Sequence, residues 1–357
     1  LDGVLRGLGN TTIVHGTFDQ LDKIERLASS HPFVFNFAAS MNVPVTEAII
    51  RGARTRKVQT GATSVVYHLS GAGNFVDNSK SGDYIHTDHR FDDANPDDVR
   101  TVSAANLPNG PCDELLFVAA TKGEAKVYFV CPGGTYGHSH RHIGRSVGSA
   151  SAFAPGRWVN YMTQNTEALG FGAYVGSGTS VFGVVHVDDI VSLTMLVYQK
   201  ILDTVDSYRP GDVYHYWYNG IYSEEPSKKI AAAFAKLQAR RGKITSPEIR
   251  SVTYEDAGFT SSVTTLYPWA GGLKGQICTL LSSSLSELLV GIVAVLHNYE
   301  RKCNFFRNSL ILFGIFLMRY DFTLLENITL LSVGISYEAS LSDLCFRSHY
   351  AVIIPHG

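Results

Sequence analysis

Pro32–Ala39 reads P-F-V-F-N-F-A-A, a near-continuous apolar run. A strand with one solvated face alternates apolar and polar residues, whereas such a run is expected of a parallel strand buried on both faces. Working outward, the pattern repeats. Thr11–His15 (T-T-I-V-H) is a short β-branched strand stopped by Gly16, and Leu21–Ala28 places Leu21, Ile24 and Leu27 at helical spacing. Val45–Arg56 reads as a helix with a basic end, which suits its dipole. Ser64–Leu69 (S-V-V-Y-H-L) is the next strand, Asp113–Ala120 the next helix, and Lys126–Cys131 (K-V-Y-F-V-C) a strand closed by Pro132. This strand–helix alternation predicts an α/β fold with a parallel sheet and right-handed crossovers.

Further on, residues 138–180 are rich in Gly, Ser and aromatics and read as an irregular, mostly non-helical lid. Val181–Val187 is a strand, and Asp188–Ile201 a helix with two acids at its N-terminus, where acids are stabilised. Asp212–Tyr218 reads as a strand and Ser227–Arg241 as an amphipathic helix ended by Gly242.

Composition bounds the possibilities. The 357 residues carry 30 Lys plus Arg against 32 Asp plus Glu, a net charge of −2, which disfavours holding a polyanion by counterion release. A nucleic-acid partner is therefore not expected. Charged residues are only 17%, and 33 Gly and 12 Pro are scattered without a period, which excludes collagen-like, coiled-coil and disordered classes. Cys112, Cys131, Cys278, Cys303 and Cys345 form no C-x-x-C pair and are odd in number, so a reducing, cytoplasmic setting fits better than a disulfide framework. The opening L-D-G-V-L-R-G-L-G-N has no apolar signal core and no initiator Met, and reads as a fragment starting in mid-pattern. The sequon at Asn10 matters only in a secreted protein.

The order and endings of these segments resemble an extended short-chain dehydrogenase/reductase of the NAD-dependent epimerase/dehydratase group, akin to fungal NAD(P)-binding proteins. The resemblance runs over about Thr11–Asp256. It rests on G-V-V-H-V-D-D-I-V (Gly183–Val191), C-P-G-G-T-Y-G (Cys131–Gly137), N-F-A-A-S (Asn36–Ser40), H-G-T-F-D (His15–Asp19) and L-S-G-A-G (Leu69–Gly73). It implies a Rossmann-like sheet, an NAD or NADP cofactor and a small-molecule substrate bearing an alcohol, aldehyde or sugar-nucleotide group. Ser70 falls where the family puts a catalytic Ser or Thr, whose hydroxyl bonds the substrate while a tyrosinate moves the proton. Ala38 and Ala39 would let the cofactor approach the carboxyl edge. Thr17 and Phe18 would lie by adenine, with Thr17 replacing the family's acid. Pro132 would sit beside the nicotinamide, and Tyr136 would face the substrate. Asp188 and Asp189 read as a structural helix cap.

Two family features are missing from this sequence. It has no G-x-x-G-x-x-G to cradle a pyrophosphate, since Gly7–Gly9 has no preceding strand. It also lacks the Tyr-x-x-x-Lys pair: the expected positions fall near Ala105 and Asn109, and Lys122 lies too far on. The expectation is a sheet lacking its first two strands, with an exposed apolar edge. The reading that follows is an NAD(P)-dependent oxidoreductase of the epimerase/dehydratase type, impaired in this chain, with a non-catalytic dinucleotide-sensing regulatory module as the alternative.

No metal site is expected. His138, His140 and His142 alternate as strand ligands would, but no carboxylate stands at matching spacing; His86, Asp88 and His89 read as surface polar residues. The expected organisation is residues 1–256 as a partial Rossmann-like domain with an interleaved lid (138–180 and 203–256), then 257–357 as an atypical apolar tail. Leu285–Leu296 and Ser309–Met318 fall short of the ~18 apolar residues of a membrane span. Arg301, Lys302, Arg307 and Arg319 are too few and too interrupted for an interfacial anchor. The tail keeps no clean period, and translated non-coding sequence is favoured over an added helical subdomain. Poor order, few contacts to the sheet and better behaviour on truncation at Gly272 are then expected.

Overall fold

The structure is a computed structural model that describes residues 11–75, 81–84, 91–103, 107–137, 157–221, 223–254, 256, 311–313, 328–335 and 348–355. The expected strands form β1 (Thr11–Thr17), β2 (Phe33–Asn36), β3 (Val65–Leu69) and β4 (Lys126–Pro132), followed later by β8 (Trp217–Gly220). β2, β3, β4 and β8 pair in that order, all parallel. β1 belongs to the same sheet and runs in their direction.

Helices α1 (Leu21–Ser30), α2 (Val43–Thr60), α3 (Pro96–Val102) and α4 (Gly110–Thr121) cover one face. Their caps are local and readable. Asn42 accepts the Val45 N–H at the start of α2, and Gly61, at φ 73°, ends it by donating to Lys57 O. α1 and α2 cross closely at Gly52, where a Cβ would fall 2.5 Å from Glu25 O and 2.6 Å from Ala28 Cβ. Val34, Val66, Val127, Phe129 and Trp217 bury against this helical layer. On the other face Phe35, Val65, Tyr67, Tyr128 and Tyr218 pack on Ile190, Leu193, Val197 and Ile201 of α6 (Val187–Thr204). Alternate residues of one run thus enter two cores, which is why Pro32–Ala39 has no polar face.

Beyond β4 lie β5 (Gly134–Tyr136), α5 (Arg157–Leu169), β6 (Gly172–Val175), β7 (Val181–His186), β9 (Ser223–Pro226), α7 (Ser227–Arg240) and β10 (Ile249–Val252). They make a three-stranded sheet β5-β7-β9 and a parallel pair β6–β10. Two expectations are corrected here. Within 138–180 the described part, 157–180, is not an irregular lid but holds α5 and β6, while residues 138–156 lie outside the described residues. Asp212–Tyr218 is not a strand: Pro210–Tyr216 is a 3-10 turn, started by Pro210 behind Arg209, and pairing begins at Trp217.

The largest correction concerns the tail. β12 (Ile328–Ile335) pairs parallel with β2, and β13 (Ser348–Pro355) pairs antiparallel with both β12 and β1. The full order is β1-β13-β12-β2-β3-β4-β8, with β11 (Ile311–Phe313) antiparallel to the end of β12. The expected exposed edge is filled by the chain's own C-terminal segments, and the expected lack of contact between tail and sheet does not hold. The physical reason is the edge itself: unpaired N–H and C=O groups of β1 and β2 invite any strand that can complete the ladder. Among the described residues no helix is long and apolar enough to cross a membrane. His86, Asp88, His89, Ala105, His138, His140, His142, Cys278, Cys303 and Cys345 lie outside the described residues.

Candidate functional site

Because β1, β2, β3 and β4 run the same way, their ends bring Thr17, Phe18, Ala38, Ala39, Ser70 and Pro132 to one carboxyl edge of the sheet. The chain leaves β2 toward β3 and leaves β12 toward β13, in opposite directions. Neighbouring parallel strands with diverging connections define a switch point, where open α/β sheets take ligands. Thr17 and Phe18 are half-buried, and Phe18 packs on the core. Three strand spacings, roughly 14 Å, separate them from the end of β2.

At that end Asn36 organises the turn. Its Oδ1 accepts the Ala39 N–H at 3.1 Å and the Ala38 N–H at 3.4 Å. Its Nδ2 lies 3.0 Å from His68 Nδ1 on the adjacent strand. His68 Nε2 in turn faces Asp113 Oδ1 at 3.4 Å, both side chains being fully buried. Asp113 Oδ2 accepts from Ser70 Oγ at 2.7 Å and from Asn74 Nδ2 at 2.7 Å. Asn74 Oδ1 accepts the Asn109 N–H at 2.9 Å at the start of α4. A single buried network therefore joins the ends of β2 and β3 to the first turn of α4.

Ser70 stands where the sequence places it, but only 4% of it is exposed and its one proton goes to a carboxylate. Asn109, near an expected position of the missing tyrosine–lysine pair, is likewise buried, and its Nδ2 donates to Ser40 O at 3.3 Å. Burial, then the charge of Asp113, pushes the Cys131 thiol well up, so it stays protonated and is no nucleophile. Tyr67, Tyr128, Tyr198, Tyr208 and Tyr218 are all shifted upward by burial, Tyr128 to about 12. That is opposite to what a tyrosinate base requires.

Pro132 is buried opposite Gly220 at the end of β4. Tyr136 is buried in β5 with its ring edge-on to His186, centroids 5.4 Å apart at 79°. Gly137, at φ 90°, must be glycine: a Cβ would lie 2.1 Å from His186 Nε2. His186, rather than the acids, caps α6, its Nδ1 accepting the Asp188 N–H at 3.2 Å. This corrects the expected cap role of Asp188 and Asp189. Asp189 is buried, and its carboxyl is pushed up to about 6, first by burial and then by the charge of Asp188.

Sequence reasoning missed the roles of Asn36, His68, Asn74 and Asp113. The available signal was a polar residue inside each of two runs buried on both faces, P-F-V-F-N-F and S-V-V-Y-H-L, since buried polar groups need partners.

Strand order, direction and the carboxyl-edge switch point define an α/β protein of Rossmann-like architecture. No family model matches the chain, and no curated protein does. Solved structures align with the chain at low identity. A dTDP-glucose 4,6-dehydratase of Streptomyces venezuelae with NAD and TYD bound is 16% identical, with a TM-score of 0.46 over 82% of this chain and 80% of that one. The dTDP-glucose 4,6-dehydratase of Bacillus anthracis in complex with NAD is 15% identical, with a TM-score of 0.47 over 80% and 79%. The UDP-glucose 4-epimerase of Thermus thermophilus in complex with NAD is 12% identical, with a TM-score of 0.45 over 80% and 84%.

Proposed function

We propose that this chain is a non-catalytic, sensing or regulatory module built on a dinucleotide-type sheet, in which Ser70 is structural. The observation that carries the reading is the 2.7 Å bond from Ser70 to the fully buried Asp113. A hydroxyl that steadies a substrate during proton transfer must point at the reacting group. This one points into the protein.

Small side chains at Ala38 and Ala39 fit the close approach of an NAD or NADP ring system. Their backbone N–H groups, however, are already taken by Asn36. Those two amides are therefore not open to a pyrophosphate, and in this reading Thr17, Phe18, Ala38, Ala39 and Pro132 do not by themselves hold the cofactor. Calorimetric titration with NADH and with NADPH is expected to find binding weaker than micromolar; micromolar affinity for either would defeat this part of the reading.

The competing reading is an NAD(P)-dependent oxidoreductase of the epimerase/dehydratase type, with Ser70 catalytic and Tyr136 toward the substrate. It is favoured by the position of Ser70 on the shared carboxyl edge. Ser70→Ala separates the two. As a structural residue, Ser70 should cost about 1–3 kcal/mol of stability on truncation, because one lone pair of a buried carboxylate loses its donor. Urea unfolding measures that loss. A variant of unchanged stability whose turnover of a nucleotide sugar falls would instead make the chain an enzyme.

A further inference from the structure

We propose that Asn36, His68 and Asp113 form a proton-sensitive relay that holds or releases the turn Phe37–Ser40 at the carboxyl edge. This goes beyond the functional reading and does not depend on it.

The polarity of the relay can be worked out from one end. Backbone N–H groups only donate, so the Asn36 atom facing Ala38 and Ala39 is Oδ1. Its other atom, Nδ2, is then a donor aimed at His68 Nδ1. A ring nitrogen that accepts carries no proton, so the proton of neutral His68 sits on Nε2, facing Asp113 Oδ1. Ser70 and Asn74 already donate to the other oxygen of Asp113. Neutral His68 therefore suits Asn36, with its Nε2 turned to Asp113 Oδ1 at 3.4 Å, an approach that closes no hydrogen bond.

Protonated His68 does not. A proton on Nδ1 opposes the Asn36 amide, while the charge gained on the ring favours Asp113. The conflict resolves if Asn36 turns over and offers Oδ1 to the imidazolium. It then presents Nδ2 to the Ala38 and Ala39 N–H groups, donor against donor, and the turn loses both side-chain bonds. Protonation thus trades two turn bonds for an ion pair in the relay. The groups that face His68 are Asn36 from β2, Asp113 from α4 and the Phe129 ring from β4, edge-on at 5.8 Å. The titratable groups beside Asp113 are the Cys112 and Cys131 thiols, both pushed up chiefly by burial.

The test uses the full chain and two NMR readouts across a descending pH series. Long-range proton–nitrogen correlations report the His68 tautomer, and hydrogen exchange reports protection of the Ala38 and Ala39 amides. The expected result is an Nε2–H tautomer at neutral pH. As His68 takes up its second proton, exchange at Ala38 and Ala39, corrected for intrinsic rate, should rise by about tenfold or more while the sheet stays protected. In Asn36→Asp the carboxylate suits charged His68, and the same two amides should stay protected throughout. An Nδ1–H tautomer overturns the proposal. So does protonation of His68 with no change at Ala38 and Ala39, or a His68 that stays neutral until the whole sheet unfolds.

Discussion

Truncating the chain after Asp256 should abolish cooperative folding. β1 has β13 as its strand partner, over seven residues from Thr11 opposite Pro355 to Thr17 opposite His349. β2 has β12 along one edge, from Phe33 opposite Ile328 to Asn36 opposite Leu331. Removing the tail leaves β1 two strand positions from the rest of the sheet, attached by α1 and its crossing with α2. Each net hydrogen bond contributes ~1 kcal/mol, and the lost ladders expose apolar strand faces as well. The sum is of the same order as the entire stability of a domain, about 5–15 kcal/mol. Unpaired edges also template aggregation. The measurement is soluble yield together with thermal unfolding followed by circular dichroism. A soluble 1–256 fragment with a single sharp transition would mean that the tail pairing does not support the sheet.

That expectation reverses the one drawn from sequence, and the reversal has a physical cause. The parallel core was legible because burial on both faces leaves a mark within one short segment, as in P-F-V-F-N-F-A-A. Helix ends were legible for the same reason: Asn42, Pro44 and Gly61 act within a turn of where they stand. The tail leaves no such mark. β12 reads I-T-L-L-S-V-G-I and β13 S-H-Y-A-V-I-I-P, and neither announces a partner about 300 residues away. α5 was hidden differently. It has Val159, Met162 and Thr166 at helical spacing, but its Gly- and Ser-rich surroundings carry the reading of the whole stretch.

The site divides along the same line. The shared edge followed from strand order, so Ser70, Ala38, Ala39 and Pro132 could be placed before any geometry was known. The work done by Ser70 could not, because its partner Asp113 is 43 residues away, on another element. His68 and Asp113 are 45 residues apart in sequence, and Asn36 and His68 are 32. A polar residue in a buried strand says that a partner exists without saying which.

Asp113 is accordingly the residue whose loss should be felt most within the site. In Asp113→Ala, Ser70 and Asn74 each lose their acceptor, and His68 loses the carboxylate it faces, all in a region closed to water. A buried donor left unpaired costs about 1–3 kcal/mol, and Ser70 and Asn74 are both left so. The methyl side chain also leaves a small void. Destabilisation of roughly 2–6 kcal/mol is expected, measured by urea unfolding. Asp113→Asn should cost less, since it keeps one acceptor oxygen, though its NH2 must then face a donor. The decisive comparison is the double variant with Ser70→Ala. If Ser70 acts through Asp113, removing it second costs little, and the combined loss falls short of the sum of the single losses by about 0.5–3 kcal/mol. Additive losses would mean that Ser70 has a separate role at the carboxyl edge, and the structural reading of its hydroxyl would fall.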